Sequence, residues 1–152
     1  MKKSKKSHSI LLAGLIILCL PFVLIQADDS ITRPDATSSD GLKMEGFSFR
    51  SSREGLTSGA PYLITFRLVN VSDHPITFHE QYGVFVGARH GNDNIDFGHK
   101  AKGKTLQPGE SVPLKQTNHF GASGTYRFWP AYHANGHWGP YRWNEIVVEV
   151  TD

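Results

Sequence analysis

The segment from Thr125 to Thr151 constrains the fold more than any other stretch. It reads Thr-Tyr-Arg-Phe-Trp-Pro-Ala-Tyr-His-Ala, then Asn135-Gly136, then His-Trp-Gly-Pro-Tyr-Arg-Trp-Asn-Glu and the run Ile-Val-Val-Glu-Val. Asn-Gly between two aromatic and β-branched runs is the strongest short-range hairpin signal, because both central residues of a tight hairpin turn take positive φ. All three tryptophans of the chain (Trp129, Trp138 and Trp143) fall inside this segment. Two closing strands with an aromatic tip are expected.

The rest of the chain carries the same strand signal. Tyr62, Ile64, Phe66 and Leu68 alternate with Leu63, Thr65, Arg67 and Val69, a period of two with one strongly apolar face. Leu42, Met44, Phe47 and Phe49 predict a first strand with an irregularity at Gly46. Further strands are expected at Ile76–Phe78, Gln81–Arg89 and Ser111–Gln116, with a short edge strand at Ile95–Phe97. Pro113 suits an edge strand, since proline cannot donate to a ladder. Asn70–Pro75 is turn-forming, and Pro108-Gly109 occupies the centre of a type II turn. No helical period is present, and 15 glycines and 8 prolines suit short strands joined by tight turns. The pattern predicts an all-β fold, an immunoglobulin-like antiparallel β-sandwich of seven to eight strands. Tyr126, after Gly124-Thr125, is placed to supply a tyrosine-corner hydroxyl.

Residues 1–27 are set apart from this domain. Lys2, Lys3, Lys5 and Lys6 precede an apolar run from Ile10 to Ile25, the form of a secretory signal peptide ending at Ala27. The run is just short of the ~20 residues that span a bilayer, so an uncleaved N-terminal membrane anchor is the alternative. A lipoprotein signal at Cys19 is a third reading, weakened by Leu18 where a small residue is wanted. Residues 28–41 are polar and unpatterned and read as a flexible linker, which leaves 42–152 as the sandwich domain.

Either reading exports the domain to a periplasmic, cell-surface or extracellular place in a bacterial cell, with the membrane a partner only through an uncleaved N-terminus. The four leader lysines account for the formal charge of +2; without them twelve basic residues face fourteen acidic ones, a net −2. No basic footprint for nucleic acid remains. Cys19 is the only cysteine, so the domain has no disulfide or thiol chemistry of its own.

Three stretches together resemble a recurrent bacterial layout: Phe66–Ile76 (Phe-Arg-Leu-Val-Asn-Val-Ser-Asp-His-Pro-Ile), Leu106–Val112 (Leu-Gln-Pro-Gly-Glu-Ser-Val) and Gly124-Thr125-Tyr126. The layout is similar to that of cell-adhesion-related immunoglobulin-like domains and of the bacterial intracellular proteinase inhibitor family. The resemblance covers about half of the chain and rests on turn chemistry. It implies a β-sandwich that binds proteins or surfaces and carries no catalytic residues.

Two residue sets point to chemistry. Seven of the eight histidines lie between His74 and His137, and histidine is a common ligand of zinc and copper. His133 and His137 form the best metal pair. A three-residue turn sets their rings on one face of the ribbon, where they can chelate; a two-residue turn sets them on opposite faces. The second set is Trp129, Tyr132, Trp138, Tyr141 and Arg142, which would bind a protein, peptide or glycan if exposed and would close one end of the core if buried. A continuous two-residue register places Trp129 opposite Arg142, which could stack over it, and Phe128 opposite Trp143. No nucleophile elbow, paired-carboxylate motif or phosphate-cradling loop is present. The expected function is a non-enzymatic, cofactor-free binding or adhesion module. The alternatives are a histidine-based periplasmic metal-binding protein and a proteinase-inhibitor-like protein.

Overall fold

Residues 30–152 are described in the computed structural model, and every regular element among them is a β-strand. The signal peptide or anchor assigned to 1–27 lies outside the described residues. In chain order the strands are β1 (Ser30–Thr32), β2 (Ala36–Thr37), β3 (Leu42–Ser51), β4 (Pro61–Asn70), β5 (Ile76–Thr77), β6 (Val84–His90) and β7 (Asp93–Asn94). They continue as β8 (Phe97–Lys100), β9 (Thr105–Leu106), β10 (Ser111–His119), β11 (Gly124–Ala134), β12 (His137–Trp138) and β13 (Ile146–Val150). The expected edge strand at Ile95–Phe97 is replaced by two pieces, β7 and β8, both paired with β6.

Two antiparallel sheets carry the fold. The first has the order β1-β3-β4-β10, with β2 also on β3. The second has the order β12-β11-β6-β7, with β13 also on β11 and β8 also on β6. Strands β5 and β9 form a separate two-stranded ribbon. Alternation on β4 buries Tyr62, Ile64, Phe66 and Leu68, as the period predicts. Aromatic rings join the sheets: Phe49 of β3 stacks on Phe128 of β11 with centroids 5.8 Å apart, and Tyr62 of β4 lies 5.0 Å from Phe128. One apolar cluster includes residues of both sheets, an arrangement compatible with a β-sandwich.

Local sequence chemistry explains the irregular points. On β3 the inward phase passes from Leu42 and Met44 to Phe47 and Phe49, so one extra residue must be absorbed. The register with β4 shifts between Glu45 and Ser48, and Gly46 sits there at φ 61°, a bulge of the glycine type. β10, with Pro113, lies at the end of the first sheet's order. Gly109 has φ 86° and Glu110 N–H bonds to Gln107 C=O at 3.0 Å, as a Pro-Gly type II turn requires.

Asn70 ties that turn to the one after β4. Its fully buried amide donates to His74 C=O (2.8 Å) and Leu106 C=O (3.0 Å) and accepts from Ser72 N–H (3.0 Å) and Ser72 Oγ (2.7 Å). Tyr126 donates its hydroxyl proton to Ala122 C=O at 3.0 Å and accepts from Gly121 and Ala122 N–H, each at 3.1 Å. The expected corner hydroxyl is thus bonded to backbone a few residues upstream.

The segment read as a flexible linker, 28–41, is held from Ser30 onward. β1 and β2 pair with β3, Arg33 Nε donates to Glu145 C=O at 3.0 Å, and Ile31 and Ala36 pack on the core. Two apolar residues five apart show no period of two, which is why pattern alone reads this stretch as loop.

Candidate ligand site

Strand alternation separates the two faces of the second sheet. Pairing of β6 with β11 sets Phe85 opposite Ala131, Gly87 opposite Trp129 and Arg89 opposite Arg127 on the face away from the core. Val84, Val86 and Ala88 point inward with Tyr132, Pro130 and Phe128 opposite them. An outward Trp129 would normally be exposed, yet it is 6% accessible. It lies flat over Gly87: a Cβ there would come within 2.3 Å of the indole. Glycine inside a strand marks such close approaches.

The hairpin covers this outer face. Asn135 (φ 48°) and Gly136 (φ 79°) make a two-residue turn, and Ala134 pairs with His137 and His133 with Trp138. Directly opposite residues share a face, so Trp138 joins Trp129 and His133 outside while His137 turns to the other side. The two histidines therefore take the arrangement in which they do not chelate as a pair. Among the described residues no group of three or more His, Cys, Asp or Glu side chains could hold a metal ion. His74 and His137 do line a second cavity of about 260 Å³ with Asp40.

Beyond Trp138 the ladder does not continue as a simple register predicts. β13 resumes with Ile146 opposite Phe128, three residues later than a continuous ribbon would place it. Pro140 cannot donate to a ladder, and Arg142 and Asn144 take φ 53° and 49°, the left-handed region that asparagine visits readily but that costs a residue such as arginine roughly 1–2 kcal/mol. The excess forms a turn that leaves Tyr141 outside, 65% accessible, and returns Trp143 to the core at 8%. Two expectations are corrected here. Trp143 does not face Phe128, and Arg142 stacks over Tyr141, its Cζ 5.2 Å from the ring centroid, rather than over Trp129.

The outer sheet face and the returning chain enclose a cavity of about 190 Å³. Trp129, Tyr132, Trp138 and Tyr141 all line it, so four of the five aromatic-set residues meet at one place. Trp129 meets Tyr141 edge-on (5.4 Å, 75°), and Phe85 meets Trp138 edge-on (6.3 Å, 89°). Tyr132 contributes a buried wall: Gly139 passes over its ring and its hydroxyl donates to Asp40 at 2.8 Å. Burial pushes the Tyr132 phenol up, well beyond its usual range. Arg142 lies outside the lining and braces Tyr141. Arg89 Nη1 donates to the Tyr141 hydroxyl at 3.0 Å, and this bond, more than Arg142, lowers the Tyr141 pKa.

Pattern reading missed Phe85, Asn94 and Asp96, which line the cavity together with Ala131, Gly139 and Pro140. Phe85 was legible as the outward phase of its strand, and Gly87 as the gap an indole fills. Asp96 carried no such signal; its Oδ1 accepts from Ala88 N–H at 2.8 Å, just beyond the last β6–β8 pair, Val86 with Phe97.

Beside the cavity a ring cluster supports the hairpin tip. His133 lies 4.7 Å from His79, 5.8 Å from Tyr82 and 4.5 Å from Trp138, and Tyr82 lies 4.7 Å from Trp138. Burial, then the neighbouring His79 and His137, lowers the His133 pKa, and its buried Nδ1 has no hydrogen-bond partner. His99 stacks on Phe85 at 4.5 Å and His90 on Tyr126 at 4.4 Å. Several histidines thus serve as packing rings. No protein-family model matches the chain, and no match is found among the curated proteins.

Proposed function

We propose that the protein is an exported, non-enzymatic immunoglobulin-like binding module whose protein, peptide or glycan ligand enters the outer-face cavity. The observation that carries this reading is the convergence of Trp129, Trp138 and Tyr141 on one 190 Å³ cavity, with Trp138 56% and Tyr141 65% accessible. Large exposed aromatics grouped at a concave site are the usual anchors of binding. The immunoglobulin-like assignment is supported by the strand order, in which β3-β4-β10 and β8-β6-β11-β13 correspond to A-B-E and C′-C-F-G, and by the bonded Tyr126 corner. Export rests on the basic and apolar N-terminus.

The test compares the protein with its Trp138→Ala and Tyr141→Ala variants on arrayed glycans and peptides, with thermal melting in parallel. Loss of array binding at a nearly unchanged Tm is expected for both exposed rings. Trp129→Ala should instead cost about 3–5 kcal/mol of stability, because that indole is buried. Array binding that survives both exposed-ring substitutions would remove the cavity from the function.

A further inference from the structure

We infer that the occupant of this cavity is one uncharged sugar ring of a glycan, an inference that rests on the cavity being the binding site. Size is the first constraint. At about 190 Å³ the cavity is smaller than the roughly 300–1,000 Å³ of pockets that hold drug-sized ligands, so it takes a single ring.

Charge is the second constraint. Arg89 donates to the Tyr141 hydroxyl, and Arg142 already lies over the Tyr141 ring. Both arginines lie outside the lining, but with one guanidinium on its ring and another on its hydroxyl Tyr141 is a poor wall for a cationic ligand, which bare aromatic walls would suit. An anion would meet Asp96 in the lining. Arg142 in turn is balanced by Glu145 at 3.6 Å. Opposed charges of this kind favour a neutral guest.

The polar groups choose among neutral guests. Asp96, on the exposed rim, uses Oδ1 on the backbone of Ala88, and its second oxygen is placed to accept from a ligand hydroxyl. Asn94 adds an amide that both donates and accepts. A pyranose satisfies both parts of the site: its C–H face lies against Trp129 or Tyr141, and its equatorial hydroxyls donate to Asp96 and exchange bonds with Asn94. A proline ring fills the same volume but brings no hydroxyl for Asp96, whose desolvation would then go uncompensated.

Tryptophan fluorescence of the purified full chain tests this. Cellotriose, maltotriose, triacetylchitotriose, tetramethylammonium chloride and a proline-rich peptide are titrated separately to millimolar concentration. A saturable change is expected with at least one of the three sugars, weakened about tenfold or more by Tyr141→Ala and by Asp96→Asn. Asn at position 96 can keep the bond to Ala88 N–H, so its loss of affinity reports the ligand rather than the fold. A response confined to tetramethylammonium or the peptide and lost in Tyr141→Ala overturns the sugar and leaves the binding site standing. Sugar binding unchanged in both variants overturns the placement, and silence from all five probes overturns the sugar and the cavity together.

Discussion

Gly87 and Trp129 show how one residue can set a surface. The indole can lie flat on β6 only because its cross-strand partner lacks a Cβ, which would otherwise stand 2.3 Å from it. Gly87→Val should therefore lift Trp129, fill the cavity floor and cost about 1–3 kcal/mol of stability. Urea denaturation with tryptophan emission as the readout checks this. An unchanged midpoint and emission maximum would show that the indole has another place to go. The pairing was half visible in the sequence: a glycine inside an alternating run signals close approach, but which ring approaches depends on strand pairing some forty residues away.

The element that organises the site is the β11–β12 hairpin, whose turn was legible in the sequence and whose register was not. Asn135-Gly136 suits a two-residue loop or, with Ala134, a three-residue one, and it is the two-residue loop formed here that places Trp138 outside and His137 on the opposite face. Pairing was also hard to follow past Gly139, where the ribbon gives way to a turn built on positive φ at Arg142 and Asn144; asparagine tolerates that conformation, but arginine does not announce it. The tip also carries a pH dependence. The His133 pKa lies below its usual 6.5, because burial, then His79 and His137, oppose its charge. The unfolded chain then binds the proton more readily, so stability contributed by neutral His133 is present above about pH 6.5 and is lost as pH falls through the lower folded value. Thermal melts across this range should show a steeper acid loss for the protein than for His133→Gln. Parallel curves for the two would mean that other groups carry the dependence.

At the scale of the whole molecule, the first sheet depends on residues that sequence reading had left outside the domain. β1 and β2 cover the edge of β3, and Asn144 Nδ2 donates to Pro34 C=O at 3.0 Å, so this segment also braces the turn beside Tyr141. A chain beginning at Asp40 exposes that edge. It should melt lower than one beginning at Ser30 and should self-associate with rising concentration, as sedimentation would show; identical melting and a monomer at all concentrations would make the segment dispensable. The long strands β4, β6 and β11 were readable because one face of each meets a continuous core. β1 and β2 were not, because so few of their side chains reach it. Asn70 carries a different consequence, for where the protein can be made. Asn70-Val71-Ser72 has the form that a eukaryotic oligosaccharyltransferase modifies in a nascent secreted chain. The acceptor nitrogen is the one that donates to both His74 and Leu106 at a fully buried position. A carbohydrate attached there before folding removes one of those two protons and cannot enter the turn, so a glycosylating host converts the best-bonded side chain of the loop into an obstacle to closing it.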